Sequence, residues 1–245
     1  PGYTAFVADA KAATSVADGA VLLVDGVAGV EVITRRVFRF AAERSLPVLL
    51  VVNKLDRERA SFERAFGSIQ ERFGRTAVAL QIPIGQEHDY CGAVDLLSMK
   101  AQRYEKDGNG KYKEEDVPPD LLEQAQTART ALVEMIAETD DALMEAFFES
   151  GDLTADQLRS GLRKAVLQRE IFPVLTSSAL HGIGIQSVLE SIADLLPSPA
   201  DLGPWTAQDP ESDTEIQREV SETEPLSLFV FKTVADPYAG RLTIF

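Results

Sequence analysis

The stretch PVLLVVNKLD, residues 47–56, decides the fold of this chain. Residues 48–52 form an unbroken apolar run rich in β-branched side chains, which is typical of a strand buried on both faces of a parallel sheet. The run ends in the polar residues Asn53, Lys54 and Asp56. Ligands of open α/β sheets bind beyond the carboxyl ends of the strands. The stretch therefore predicts a binding site at the end of this strand.

The residue types at this strand end suit a guanine base. The Asp56 carboxylate can accept hydrogen bonds from both the ring N–H and the exocyclic amine, and adenine does not offer that pair of donors. Asn53 can reach the N7 side of a purine and hold a neighbouring loop, while the Lys54 stem can lie along the base. A base without these donors would leave the carboxylate unpaired, and this cost in free energy distinguishes bases more strongly than apolar fit does. The simpler alternative is a solvated turn with a capping Asp.

A second stretch supports the guanine interpretation. Residues 171–180, IFPVLTSSAL, form another apolar strand that ends in small polar residues, and HGIG at 181–184 leads into a helix. Small side chains at Ser178 and Ala179 would let backbone N–H groups approach a base edge such as the guanine O6. We therefore expect both strand ends to share one crevice, with Asp56 on one side of the base and the backbone of Ser178 and Ala179 on the other.

The composition limits the functions that are open to the chain. Its 245 residues can bury a sizeable core and can form more than one domain. A formal net charge of −15 argues against nucleic-acid binding by counterion release, so any RNA contact needs a local patch or parts outside this sequence. The single Cys91 excludes an internal disulfide and fits a reducing cytoplasm. Two histidines and one cysteine provide no usual zinc site, and no apolar run approaches the length of a membrane span. A start at Pro1 with no secretory signal indicates a piece of a longer protein.

Hydrophobic periodicity predicts alternating helices and strands over the first 84 residues. The expected helices cover 4–17, 31–44 and 60–73, and the expected strands cover 20–24, 48–52 and 78–84. This order is typical of a doubly wound α/β domain.

The rhythm changes after residue 84 and returns at Phe172. In between we expect short strands at 91–95 and 101–105, a hairpin turn at 107–110, and helices at 118–138, at 141–149 and after Thr154, where Gln157 completes a capping box. A helix at 184–196 then closes the α/β pattern. Residues 85–170 are therefore interpreted as an inserted α+β module.

The end of the chain has a different composition. Residues 200–224 are rich in Pro, Asp and Glu, which predicts a linker or a disordered loop with an exposed or lightly packed Trp205. The stretches 226–233 and 241–245 indicate two strands of a β domain.

Taken in order, these motifs resemble translational GTPases, and elongation factor G in particular. PGY at 1–3 is similar to the end of the family's third guanine-nucleotide motif, NKLD at 53–56 to the fourth, and SAL at 178–180 to the fifth. PIG at 83–85, GAVDLLSMKA at 92–101 and VPP at 117–119 resemble the extra subdomain that elongation factor G carries within its G domain. LPSPAD at 196–201 resembles the family's exit from the G domain, and PLSLFVFKTVADPYAGRLTIF at 225–245 the start of its second domain.

The resemblance implies a fold and its division into domains. The implied fold class is α/β: a P-loop-NTPase-type doubly wound parallel sheet with an inserted α+β subdomain, followed by the first strands of a β-barrel domain. The implied domains are a G domain at 1–84 and 171–200 without its phosphate-binding loop, an inserted subdomain at 85–170, a linker at 201–225, and the start of domain II at 226–245.

The resemblance also implies ligands and partners. GTP and GDP would be bound by Asn53, Lys54, Asp56, Ser178, Ala179 and Leu180. The family's phosphate-binding loop, first switch and most Mg²⁺ ligands lie upstream of the third motif, so we expect no metal ligand in this chain. The implied partner is the ribosome in the cytoplasm, including its stalk protein, with rRNA contact mainly through parts outside this sequence and no membrane contact. The candidate stalk surface is the helix at 154–169, for which a solvated amphipathic helix is the equal alternative.

One departure from the family concerns the catalytic position. Gly2 and Tyr3 stand where the family usually has Gly and His, and that His helps to order the attacking water. A phenol with a reference pKa of ~10 stays neutral near pH 7 and can hydrogen-bond water, but it cannot lend positive charge. Tyr at this position resembles the elongation-factor-G-like paralogues. Three functions stay open: a GTP hydrolase that drives or modulates translocation, a GTP-loaded ribosome factor that hydrolyses little, and a non-catalytic interaction module.

The resemblance makes one further structural prediction. In such domains the strand that leads into the phosphate loop lies beside the strand at 20–24. Without it, that strand should have a bare apolar edge, which favours aggregation unless a partner covers it.

Overall fold

The computed structural model describes residues 2–105, 109–209 and 211–245. Its α-helices are α1 (Val7–Thr14), α2 (Val32–Glu43), α3 (Phe62–Phe73), α4 (Leu122–Ala137), α5 (Asp141–Ser150), α6 (Ala155–Leu167) and α7 (Ile185–Leu195). Its strands are β1 (Ala20–Asp25), β2 (Val48–Asn53), β3 (Ala77–Ala79), β4 (Gln81–Ile84), β5 (Gly92–Asp95), β6 (Lys100–Tyr104), β7 (Tyr112–Asp116), β8 (Phe172–Thr176), β9 (Trp205–Gln208), β10 (Glu215–Arg218), β11 (Lys232–Asp236) and β12 (Gly240–Ile244). Short 3-10 helices lie at Thr4–Phe6, Glu87–Asp89 and Pro199–Leu202.

A four-stranded parallel sheet forms the centre of the fold. Its strand order is β1–β2–β8–β3, and β2 pairs with β1 along its full length and with β8 near its carboxyl end. The apolar run of β2 is buried on both faces, as its sequence predicts. The α/β fold class with a parallel sheet is thereby confirmed.

Alternate side chains of β2 enter two different cores. Leu50 and its neighbours on one face pack with residues of α2 and α3, among them Ala41 and Ile69. Leu49 and Val51 on the other face share a core with residues of α4, α6 and α7, including Ile136, Leu162 and Leu195. Each fully buried side chain of this kind stabilises the fold by about 1.5–3 kcal/mol. Helices thus cover both faces of the sheet, which is the doubly wound arrangement.

The segment between β3 and β8, residues 80–171, forms a second sheet and three helices; we call it the inserted segment. Its strands are antiparallel in the order β4–β5–β6–β7. The single strand predicted over 78–84 is wrong, because the chain leaves the parallel sheet after the Leu80 N–H donates to Val174 O at 2.9 Å, and Gln81 already pairs with Asp95. Most residues of both halves are buried, so the sequence shows one largely apolar stretch with no sign of where the first strand ends. The charged edge strand β7 was not predicted, and the turn expected at 107–110 lies partly outside the described residues.

Local hydrogen bonds determine where two of the predicted helices begin or end. The helix expected at 4–17 is a 3-10 turn followed by α1, which ends early because the hydroxyls of Thr14 and Ser15 donate to Lys11 O and Ala12 O. The capping box at α6 is confirmed: the Gln157 N–H donates to Thr154 Oγ1 at 3.3 Å, and the Thr154 N–H donates to Gln157 Oε1 at 2.9 Å.

The last 45 residues differ from the prediction in two places. The stretch expected to be a linker contains an antiparallel hairpin, β9 with β10, in which Trp205 is exposed. The strand expected at 226–233 begins only at Lys232, where it pairs with β12; the Phe231 N–H also donates to Ile244 O at 3.2 Å, but residues 226–230 lie outside this ladder. Composition alone does not show where a strand finds its partner.

The edge of the parallel sheet at β1 is unpaired within the described residues, as the family resemblance predicts. Leu23 on this strand is 59% exposed, and Val21 is also exposed. An apolar strand with a free row of backbone donors and acceptors is a template for pairing with another strand. In the described part of the chain, no helix is both long and apolar enough to cross a membrane.

Candidate nucleotide-binding site

Two loops leave neighbouring parallel strands at the same edge of the sheet. The first, residues 53–56, starts at the last residue of β2, and the second, residues 177–180, follows β8; we call them the reading loops. β2 and β8 pair in parallel with Val52 opposite Thr176, so their carboxyl ends lie side by side. This is the edge at which ligands of open α/β sheets bind.

Side chains of the second reading loop hold the first. The Ser178 Oγ donates to Asp56 Oδ1 at 2.6 Å, and the Ser177 Oγ donates to Asn53 Oδ1 at 3.2 Å. The Ala179 N–H also donates to Asn53 Oδ1, at 3.0 Å. The structure therefore brings Asn53, Asp56, Ser178 and Ala179 into one crevice.

The Asp56 carboxylate is oriented by its own neighbours. Its side chain is only 13% exposed, and Oδ1 is occupied by the Ser178 hydroxyl. The His181 Nε2 lies 3.7 Å from Oδ2, so this imidazole flanks the oxygen that remains for a ligand. Sequence reasoning did not select His181, although its place directly after the SAL motif is the signal that could have found it.

The Asn53 side chain has a defined orientation. Its Oδ1 accepts from the Lys54 N–H at 2.8 Å as well as from Ser177 and Ala179. Three donors at one atom assign that atom as the carbonyl oxygen, so the amide Nδ2 is directed away from the loop as a donor. A donor at this position complements an acceptor such as a purine N7.

The backbone N–H groups of the second reading loop are partly engaged. The Ser178 N–H donates to Ile183 O at 2.9 Å, which closes residues 178–183 into a tight loop, and the Ala179 N–H is held by Asn53. The Leu180 N–H has no acceptor among the residues that the structure describes, and its side chain is 81% exposed. A base carbonyl at this edge would therefore meet the Leu180 N–H, or share the Ala179 N–H with Asn53.

Lys54 connects the reading loops to the end of β1. Its backbone is left-handed, with φ of 64°, and its Nζ lies 2.8 Å from Asp25 Oδ2. Burial of Asp25 opposes its ionisation, but hydrogen bonds from Lys54 and from the N–H groups of Val27 and Ala28 outweigh that effect and lower the pKa of Asp25 below its ordinary value. The Lys54 ammonium is therefore anchored at the end of β1.

Gly184 is required by the second reading loop. Its φ is +77°, and a Cβ at this position would lie 2.3 Å from the backbone oxygen of Thr176. Only glycine combines this left-handed backbone with so close an approach to β8. The HGIG stretch thus turns the chain from the loop into α7.

Gly2 and Tyr3 lie apart from this cluster in their hydrogen bonding. The Tyr3 backbone oxygen accepts from the Phe6 N–H at 3.0 Å, and the Tyr3 side chain is 77% exposed. Within the described residues, neither Gly2 nor Tyr3 forms a hydrogen bond with a reading loop. Across the same residues, no group of three or more His, Cys, Asp or Glu side chains is arranged to hold a metal ion.

The parallel sheet and the paired reading loops together have the architecture of a G domain. The family model described as "Elongation factor Tu GTP binding domain" matches residues 1–198. A solved crystal structure of a protein from Thermus thermophilus matches with a TM-score of 0.80 and 30% sequence identity, covering 99% of this chain and 33% of that chain. The chain therefore belongs to the elongation factor Tu GTP binding domain family, as an elongation-factor-G-like translational GTPase. It spans about a third of the length of that solved protein.

Proposed function

We propose that this chain binds GTP and GDP through its reading loops, and that the protein containing it hydrolyses GTP on the ribosome to drive or modulate translocation. In this proposal Asp56 accepts from the ring N–H and the 2-amine of guanine. Asn53 Nδ2 donates to N7, the Lys54 stem lies along the base, and backbone N–H groups at Ala179 and Leu180 donate to O6. Ser178 holds the Asp56 carboxylate in place.

The observation that carries this proposal is the hydrogen bond from Ser178 Oγ to Asp56 Oδ1. It occupies one carboxylate oxygen and leaves the other for a ligand, so the carboxylate is held in a fixed orientation before any base arrives. Fixing a recognition group in advance lowers the entropy cost of binding. A solvated turn would not need a second loop to orient its acid.

The remaining parts of the proposal rest on the family. Magnesium would accompany the nucleotide phosphates, with ligands supplied mostly from outside this sequence. The partners would be the ribosome and its stalk protein in the cytoplasm, with the stalk contacting the surface of α6. When bound, the nucleotide supplies the phosphoanhydride that is hydrolysed; the residues described here bind and orient its base.

The test replaces a hydrogen-bond acceptor of the Asp56 side chain with a donor. In Asp56→Asn, the amide oxygen keeps the bond from Ser178 while an N–H₂ group replaces the ligand-facing oxygen. Hydrogen bonds to a charged group contribute about 1.5–3 kcal/mol each, so loss of both bonds to guanine should lower GDP affinity by at least about 100-fold. Xanthosine diphosphate carries an oxygen in place of the 2-amine, and its affinity should rise.

The measurement is nucleotide titration of the natural protein that contains this sequence. Asp120→Asn, an exposed carboxylate before α4, controls for the change in net charge. If Asp56→Asn bound GDP and xanthosine diphosphate as the unaltered protein does, the base-reading role of Asp56 would be refuted.

A second candidate function follows from Tyr3. We infer a GTP-loaded ribosome factor with slow hydrolysis, because the exposed phenol cannot lend the positive charge that an imidazolium would. Ribosome-stimulated phosphate release, compared between the unaltered protein and Tyr3→His, distinguishes the two candidates. A large increase with His supports slow hydrolysis, and equal rates remove the argument from the phenol.

A further inference from the structure

The second reading loop follows Thr176, the last residue of β8, and among the described residues no strand pairs with Thr176 on the side of β3. β3 pairs with β8 only as far as Ala79 and then turns away into β4. The Phe172 N–H donates to Thr76 O, but the Thr176 N–H, which extends the same ladder, meets no strand in the described part of the chain. The side chain of Gln81 takes the place of that strand, because its Oε1 accepts from the Thr176 N–H at 3.2 Å.

The Thr176 hydroxyl extends this contact into a three-residue network. It donates to Gln81 Oε1 at 3.3 Å and accepts from the Tyr90 hydroxyl at 3.2 Å. All three side chains are buried, with no more than 4% of any of them exposed. Burial raises the pKa of the Tyr90 phenol, so the hydroxyl remains a donor. We call Gln81, Tyr90 and Thr176 the brace.

The brace joins the inserted segment to the reading loops. Gln81 begins β4, and Tyr90 follows the 3-10 turn before β5, so both belong to the inserted segment. The same turn makes a second link, since Glu87 Oε1 accepts from the N–H of Arg59, three residues after the first reading loop. Gly85 allows this turn, because its φ is +78° and a Cβ there would lie 2.1 Å from Asp89 O. The inserted segment therefore touches the chain beside both reading loops.

We infer that Gln81, Tyr90 and Thr176 are positioning residues for guanine recognition, which makes the inserted segment part of the base-reading site. They touch no nucleotide themselves. They fix the start of the second reading loop, and Ser177, Ser178 and Ala179 then fix Asn53 and Asp56. This inference rests on the proposed function, because it assigns the brace to the same guanine site.

The test separates a positioning role from simple stability. Tyr90→Phe and Thr176→Val each remove a hydroxyl from the brace while keeping the side-chain shape. Thr176→Ser keeps the hydroxyl and should behave like the unaltered protein. Tyr104→Phe is the matched control, since it removes a similarly buried phenol hydroxyl of the inserted segment, whose hydrogen bond, at 3.2 Å, is to Ser187 on α7 and not to Thr176 or a reading loop.

The readout is the ratio of dissociation constants for 6-thio-GDP and GDP in the natural protein that contains this sequence. The thio analogue keeps both donors that face Asp56 and replaces O6 with a weakly accepting sulfur. A displaced loop no longer distinguishes the two atoms, so the ratio should fall about 3- to 10-fold in Tyr90→Phe and Thr176→Val. It should stay unchanged in Thr176→Ser and Tyr104→Phe, whatever their melting temperatures.

Two results would overturn the inference, and they differ. If the unaltered protein binds GDP no better than ADP, the proposed function is wrong and the role of the brace fails with it. If GDP is preferred to ADP but the thio ratio is the same in the unaltered protein and both brace variants, the guanine site stands and the positioning role alone is refuted.

Discussion

Gly184→Ala should destabilise the chain for two separable reasons. The first is the left-handed backbone, φ +77°, which costs an L-residue with a Cβ about 1–2 kcal/mol. The second is the steric conflict of that Cβ with Thr176 O, only 2.3 Å away. Overpacking of this kind costs about 1–3 kcal/mol, so the two effects together predict a loss of roughly 2–5 kcal/mol.

Gly151→Ala isolates the first of these effects. Gly151 has the same φ of +77° at the end of α5, but a Cβ there would have nothing within 4 Å. It should therefore lose only about 1–2 kcal/mol. The inserted segment that carries Gly151 shares a core with the parallel sheet, so one unfolding transition should report both variants.

The assay is equilibrium unfolding in urea followed by far-ultraviolet circular dichroism. Both variants should keep the slope of the unaltered protein, since the surface exposed on unfolding does not change. Their midpoints should differ, with Gly184→Ala unfolding at the lower urea concentration. Equal midpoints for the two variants would show that β8 relaxes away from the new methyl group, and the claimed need for close approach at Gly184 would be wrong.

Two other predictions concern β1. Leu23→Lys should reduce self-association, measured by light scattering at rising protein concentration, because a charge on an exposed edge strand opposes pairing; unchanged scattering would mean that β1 is not the surface responsible. The pKa of Asp25 is lowered in the folded state, so the Asp25 carboxylate stabilises the fold fully above its ordinary pKa of 3.8. This stabilisation is lost as the pH falls through the lower pKa of the folded state. Asp25→Asn should therefore lose up to about 1 kcal/mol at pH 7 relative to the unaltered protein. The two urea curves should converge as the pH falls below the folded pKa of Asp25, and a difference that persists at low pH would rule out the charge of Asp25 as its source.

The parallel sheet was predictable because its signals are local. The apolar run at 48–52 predicts a doubly buried strand, and Thr154 with Gln157 predicts where α6 begins. The run at 78–84 was misassigned because hydrophobicity reports burial and not which sheet a strand joins. The hairpin of β9 and β10 leaves almost no apolar alternation, since most of its residues are exposed, so the sequence gives no burial pattern to detect.

The sequence predicted that the residues of the reading loops would meet at one edge of the sheet, but not how they would be connected. Asn53 and Asp56 follow one strand and Ser178 follows another, so parallel pairing brings them together by a general rule. The occupation of the Ala179 N–H by Asn53 depends on loop geometry that no spacing encodes. Gln81 was not recognised for the same reason, because a buried amide that replaces a missing strand resembles any other polar residue in the sequence.

The core shared between the parallel sheet and the inserted segment has a consequence for protein engineering. Leu49 and Val51 share a core with residues of α4 and α6 as well as of α7, so the inserted segment supplies much of the cover for one face of the sheet. Replacing residues 80–171 with a short loop would expose much of that face to water, so the shortened chain should not fold as a minimal domain. The inserted segment and the parallel sheet share one hydrophobic core, so a shortened protein would need new helices on this face of the sheet in order to fold.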